Sequence, residues 1–325
     1  MRVRRGALIL RMQLEDADVR ENKMSSVLET LSNDFAAAAG AVGPSVVAIY
    51  GRRWMPSSGI QWRKGVVVTA DHAIRREEDI TVVAEGGKTF KANLAGRDPS
   101  TDLAILKIGD ETGLPVAEFG DAASLRLADF VLALGRSRST SLVASAGIIG
   151  GLGGEWQPRR GGKIDQHIRL SLELYPGFSG GPLVDARGKV IGINTRGLAR
   201  GRAVTIPLTT ANRVVDELLE KGHIARPYLG LAMQPVALPE SLRAKTTGAT
   251  SALLVVHVEP LGPADKTGVM LGDILVDLQG KPVTDTDDIQ QLLSSAKVGD
   301  NVQLTLLRGG SLMKLPITLA DRTAR

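Results

Sequence analysis

The sequence predicts a mainly β chain in two parts, a larger all-β domain followed by a small α+β domain. Three observations lead there. Short runs of β-branched and apolar residues recur, among them Ser45–Tyr50, Val66–His72 and Asp102–Ile108, and such runs bounded by turn residues read as strands. Thr210–Lys221 instead carries Val214, Val215, Leu218 and Leu219 on one helical face and stops at Gly222, a residue type that commonly ends a helix. Finally, 325 residues are long for one domain and comfortable for two.

Taken in order, the chain opens on a basic stretch, Met1–Arg11, whose apolar run ends at Arg11. That run is shorter than the hydrophobic region of a secretory signal, about 7–15 residues, and no cleavage site follows. The chain as it stands therefore reads as cytoplasmic, with a misassigned start codon as the alternative. Residues 1–30 are expected to be a partly helical or disordered tail. Val27, Leu28, Leu31 and Phe35 show helical spacing within Met24–Ala41 and lead to the first strand at Ser45. The first domain then runs over 31–222, a linker over 223–226 and the second domain over 227–321.

Within the first domain, the glycine density of Gly150–Lys163 reads as a loop that carries Arg159 and Arg160. Leu170, Leu172 and Leu174 alternate along a strand, which turns Glu173 to the opposite face. In the second domain, Ala252–Val258 reads as a strand, Pro263–Gly268 as a short helix and Leu271–Lys281 as strand and turn. Ile289, Leu292, Leu293 and Ala296 recur at helical spacing after Asp285 and Thr286, either of which can cap a helix.

Composition excludes several classes. No run approaches the 18 apolar residues of a membrane helix, so no transmembrane segment is expected. The chain has no cysteine, which removes disulfides, zinc–thiolate sites and thiol redox chemistry and fits a reducing compartment or an envelope protein that avoids disulfides. The net charge of +5 is scattered; no nucleic-acid module accompanies it, and nothing in the sequence calls for a metal or an organic cofactor.

The most telling stretch is Pro176–Leu183, in which Ser179 sits among Gly177, Gly180 and Gly181. Glycine lets the backbone turn and approach a ligand closely, which presents a hydroxyl together with bare N–H groups. A serine hydroxyl is a weak nucleophile and needs a neighbouring base and donors for the oxyanion that forms. The stretch formally matches G-x-S-x-G, but that elbow must open a helix, and Pro182–Asn194 instead reads as a β-hairpin turning at Asp185–Gly188. Of the four histidines, His72 ends a buried-strand pattern; His167 and His257 lie within strand-like segments and His223 follows a helix stop. Asp102 stands at the mouth of an alternating strand, where it can orient an imidazole without taking its proton. Asp98, before a proline, reads as a turn residue. The order His72, Asp102, Ser179 is that of the chymotrypsin class.

Thr69–Ala73, Thr101–Ile108, Pro176–Val184 and Val190–Thr195 together resemble the motifs of the HtrA (Deg) serine proteases, and the resemblance runs from about Leu31 to the end of the chain. It implies a chymotrypsin-like double β-barrel followed by a PDZ domain, with His72 as base, Asp102 as orienter and Ser179 as nucleophile. It further implies an oxyanion hole from the N–H groups of Gly177 and Ser179. Glu173, Ile193, Asn194 and Thr195 fall where the primary specificity pocket or other substrate contacts are expected. Tyr228, Leu229, Gly230 and Leu231 resemble the loop that receives a peptide's C-terminal carboxylate, and Arg159 and Arg160 fall in the family's regulatory loop. The implied partners are unfolded or damaged proteins, C-terminal peptides at the PDZ domain and two further copies in a homotrimer; the implied setting is the periplasm or cell envelope. Phe178 departs from the usual asparagine or aspartate before the nucleophile, and Leu170–Tyr175 from the usual Thr-Asp-Ala-Ala segment. An inactive peptide-binding chaperone or scaffold is the alternative that these departures raise.

Overall fold

The computed structural model describes residues 26–52, 55–136, 141–158, 162–199, 201–246 and 249–321. The chain divides between Gly222 and His223 into two compact units. The first begins with helix α1 over residues 26–42. Six strands follow: β1 (Val46–Tyr50), β2 (Ser57–Arg63), β3 (Val66–Ala70), β4 (Ile80–Val83), β5 (Thr89–Asp98) and β6 (Leu103–Lys107). They close into a barrel in the order β1-β2-β3-β6-β5-β4. Its interior is filled by aliphatic side chains such as Val47, Ile49, Val67, Ile80 and Leu106, the alternate positions of strands that each present one face inward.

A second barrel repeats the plan with β7 (Phe130–Arg136), β8 (Leu142–Gly153), β9 (His167–Ser171), β10 (Pro182–Asp185), β11 (Val190–Ala199) and β12 (Arg202–Pro207). It closes in the order β10-β11-β12-β9-β8-β7 around Val131, Ala133, Ile149, Ile168, Phe178 and Leu183. Closure leaves neither sheet with a free edge. Helix α2 (Leu208–Lys221) buries Val214, Val215 and Leu218 and ends at Gly222, whose φ of 76° supplies the left-handed cap.

One expectation needs correcting. Residues 150–153, read as loop for their glycines, continue strand β8. The glycines serve close approach rather than looseness: a Cβ on Gly150 would stand 2.9 Å from Ser171 Cβ on the neighbouring strand. Arg159 and Arg160 lie outside the described residues.

The second unit contains β13 (Pro227–Tyr228), β14 (Leu231–Ala237), α3 (Glu240–Arg243), β15 (Ser251–Val258), α4 (Pro263–Thr267) and β16 (Ile274–Leu278). It continues with β17 (Lys281–Pro282), α5 (Thr286–Ser294), β18 (Asn301–Arg308), β19 (Ser311–Thr318) and β20 (Ala320–Asp321). The main sheet runs β14-β15-β16-β18-β19, with β17 folded onto β16 and a separate β13-β20 pair. Helix α5 opens on a capping box between Asp285 and Asp288. Ile289 enters the core, with Leu292, Leu293 and Ala296 packed against it. His223 and Arg226, in the stretch expected as a linker, are tied to this unit by Asp321, at 2.6 Å to His223 Nε2 and 3.0 Å from the Arg226 N–H.

Candidate active site

Strand β3 carries His72 to the barrel rim. Val67 to Ala70 are buried, and the chain then turns through a 3₁₀ segment, Asp71–Ala73. The turn is held from two sides. The Asp71 N–H donates to the Asp102 carbonyl at 3.0 Å. Arg97 on β5 donates through Nε to Asp71 Oδ1 at 2.5 Å and through Nη2 to the Ile74 carbonyl at 3.1 Å. Burial pushes the Asp71 carboxyl above its ordinary range against the pull of Arg97. The hydrogen bond to Asp71 in turn raises the Arg97 guanidinium, so the pair is a charge-assisted clamp on the turn that presents the histidine.

Asp102 precedes β6 in the left-handed region, with φ of 57°, a conformation uncommon outside glycine but most tolerated by Asn and Asp. Its carboxylate is 2% exposed and fully engaged. Oδ1 accepts the His72 N–H at 3.0 Å, and both oxygens lie 2.8–2.9 Å from His72 Nδ1. Thr195 Oγ1 donates to Oδ2 and accepts the Gly197 N–H at 2.8 Å. Gly197 has to be glycine, since a Cβ there would stand 2.9 Å from both the Asp102 carboxyl carbon and His72 Nδ1. An acid so bound fixes the imidazole with Nδ1–H toward itself and Nε2 free to accept a proton. Asp98, by contrast, caps its own turn, accepting from Ser100 and Thr101 hydroxyls at 2.7 Å each.

The serine loop is two successive tight turns. The Phe178 N–H donates to the Tyr175 carbonyl at 3.0 Å across Pro176-Gly177, and the Gly181 N–H to the Phe178 carbonyl at 2.9 Å across Ser179-Gly180. Each has glycine at its third position, with φ of 95° at Gly177 and 88° at Gly180, as a type II turn requires. The turns consume the Phe178 and Gly181 N–H groups, and the Asn194 carbonyl takes that of Gly180 at 2.9 Å. Those of Gly177 and Ser179 donate to no described residue, although both residues are buried. Unpaired backbone donors in such a place are rare, and an oxyanion hole is built of such donors. Ser179 Oγ likewise forms no hydrogen bond among the described residues, and the His72 side chain is 28% exposed.

Strand β2 of the first barrel holds this loop from behind. Ser57 Oγ donates to the Ser179 carbonyl at 2.5 Å and the Ser58 N–H to the same oxygen at 3.2 Å. Ser58 Oγ accepts the Arg136 N–H at 2.9 Å and donates to the Gly177 carbonyl at 2.7 Å. With that carbonyl drawn inward, the neighbouring peptide plane is fixed. Phe178 anchors the loop in the second barrel: it is 1% exposed, meets Tyr175 edge to face at 5.5 Å, and fills space over Gly135, where a Cβ would come within 2.6 Å of its ring.

The remaining expected residues separate. Glu173 is exposed while Leu170 and Leu174 are buried. Ile193, Asn194 and Thr195 are wholly buried: Asn194 bonds the Pro182 carbonyl and the Thr205 hydroxyl, and Thr195 stands behind Asp102. Their side chains are therefore spent inside the barrel, which leaves only their backbone to meet a substrate. Sequence reasoning passed over Ser57, Ser58, Arg97 and Gly197. A signal was present only for the serines, as a polar pair opening a strand otherwise destined for the core.

In the second unit, β14 is an edge strand, and Leu229 and Gly230 precede it with N–H groups that donate to no described residue. Gly230 has φ of 76°, and Leu229 is buried with Leu231 and Met233 alongside in the cluster that includes Ile289. Helix α5 lies by this strand. An open strand edge ending at bare N–H groups is the arrangement by which peptides add to a sheet.

Residues 57–193 match the model of the trypsin-like peptidase domain and residues 227–319 that of the PDZ domain. A Bartonella henselae protein named "Probable periplasmic serine endoprotease DegP-like" is 33% identical over 261 residues, 78% of this chain and 51% of its own length. HhoA of Synechocystis sp., described by its name as a serine protease, is 31% identical over 268 residues, 79% of this chain and 68% of its own. The chain thus spans about half to two-thirds of the length of these relatives. The crystal structure of the serine endoprotease from Yersinia pestis matches with a TM-score of 0.65 and 29% identity, over 87% of this chain and 96% of that one. With a trypsin-like domain of two closed barrels and one PDZ domain in succession, the chain belongs to the HtrA (Deg) family of serine proteases.

Proposed function

We propose that the protein is a serine endopeptidase that cleaves unfolded or damaged proteins without ATP or a cofactor, with Ser179 as nucleophile, His72 as general base and acid, and Asp102 as orienter. The observation that carries this reading is the Asp102–His72 contact, together with a serine loop whose Gly177 and Ser179 N–H groups donate to no described residue. Ser179 Oγ attacks the scissile carbonyl carbon as His72 Nε2 takes its proton. The carbonyl oxygen, now anionic, accepts from the Gly177 and Ser179 N–H groups. His72 then returns the proton to the leaving amine, giving an acyl-enzyme, and water admitted on the same face hydrolyses the ester by the same exchange in reverse. A hydrogen bond from Ser179 to His72 is expected to close with substrate bound, as such bonds often do.

The PDZ unit binds peptides by strand addition along β14, the C-terminal carboxylate meeting the Leu229 and Gly230 N–H groups. A periplasmic or envelope setting is favoured by the name of the Bartonella relative, and no described helix is long and apolar enough to cross a membrane. Assembly as a homotrimer is carried over with the family, as is control through the loop containing Arg159 and Arg160. Incubation with a permanently unfolded protein tests the reading. The wild type should release internal peptides and Ser179→Ala none; equal fragments from both, or none from either, refute it.

A further inference from the structure

The turn after His72 and the loop after β1 are stitched together. The Gly51 carbonyl accepts both the Arg75 N–H, at 2.9 Å, and the Arg76 N–H, at 3.3 Å. Arg76 Nη2 donates to the Tyr50 carbonyl at 3.1 Å and Arg52 Nε to the Met55 carbonyl at 2.6 Å. Three guanidinium groups therefore gather on one rim. Arg75 and Arg76 are exposed and Arg52 half-buried. No carboxylate among the described residues pairs with any of them; nearby Glu77 is turned to Arg97, at 3.6 Å. Burial, with the like charge of Arg75 second, lowers the Arg52 guanidinium, which marks an uncompensated cluster rather than a set of ion pairs.

The position of this rim is chemical as well as spatial. Arg75 lies three residues beyond His72, and Met55 two residues before Ser57, which holds the Ser179 carbonyl. Because His72 must hand its proton to the leaving amine, substrate residues beyond the scissile bond pass on the histidine side, over this rim. We propose that Arg75 and Arg76, with Arg52 beneath, form a subsite for carboxylate side chains just after the scissile bond, which gives the enzyme a preference for acidic residues there. The inference rests on the reading of Ser179 as nucleophile.

The test uses quenched-fluorescence peptide mixtures, randomised before the scissile bond and carrying Asp, Asn or Lys at the two positions after it. The full-length wild type should show kcat/KM about three- to tenfold higher for Asp than for Asn, with Lys below both, as two exposed ion pairs allow. The preference should shrink at high salt. Arg75→Glu/Arg76→Glu should invert the order, with Lys above Asp. Both residues are exposed, so the substitution spares the core, and circular dichroism checks the fold. A fluorophosphonate probe run alongside separates the two ways of failing. Ser179-dependent labelling with cleavage blind to charge overturns the subsite alone, whereas no labelling overturns the reading on which it rests and the subsite with it.

Discussion

Phe178 is one of the two places at which the sequence reads as a departure from its family's motifs, and the fold gives the departure a physical role. In sequence it stands where a short polar side chain is usual, next to the nucleophile, and suggests an altered oxyanion loop. In the structure its ring is sunk into the second barrel between Tyr175 and Gly135, so Phe178 adds apolar packing to the hydrogen bonds by which Ser57 and Ser58 hold the loop. Gly135 is the complementary concession, since any larger residue there would strike the ring. Phe178→Ala should destabilise the first unit by about 3–5 kcal/mol, the usual cost of an emptied aromatic site, and slow the reaction of Ser179 with an acylating probe. Phe178→Leu should recover most of both. Denaturant melts read against probe kinetics check this, and a Phe178→Ala protein of wild-type stability would remove the anchoring role.

Among elements, β2 matters more than its sequence suggests. Ser57-Ser58-Gly59 opens a strand that is buried as far as Trp62, and its two hydroxyls reach a loop more than a hundred residues away. Ser58→Ala would strand the Arg136 N–H and the Gly177 carbonyl, both buried, at a cost of about 1–3 kcal/mol. It would also release the Gly177–Phe178 peptide plane, which adjoins the peptide bearing the Gly177 N–H. The account expects kcat to fall by about tenfold or more with KM nearly unchanged, because the lost alignment acts on the transition state. A rise in KM alone would assign Ser58 a different role. What the sequence revealed at this scale were local signals: the strand ends bearing His72 and Asp102, the hairpin after Ser179, the Gly222 stop and the capped helix α5. What it hid depended on distant partners. The glycine-rich end of β8 reads as loop until Ser171 is seen pressed against it. Thr195 donates its hydroxyl to Asp102, a pairing that no spacing along the chain announces.

At the scale of the molecule, two architectures serve two chemistries. Closed barrels leave no strand edge and concentrate their chemistry at the rims where β3, β6 and the serine loop end, while the sheet of the PDZ unit has edges, of which β14 is the one beside helix α5. The central claim is that the barrel rims form a working nucleophile and not merely the shape of one. Intact-mass spectrometry after exposure to a fluorophosphonate tests it most directly. The account predicts one adduct on the wild type, mapped to Ser179, none on Ser179→Ala, and labelling slowed by several orders of magnitude in Asp102→Asn, where the imidazole tautomer is wrong. A wild type that stays unlabelled, or an adduct that persists in Ser179→Ala, would contradict it.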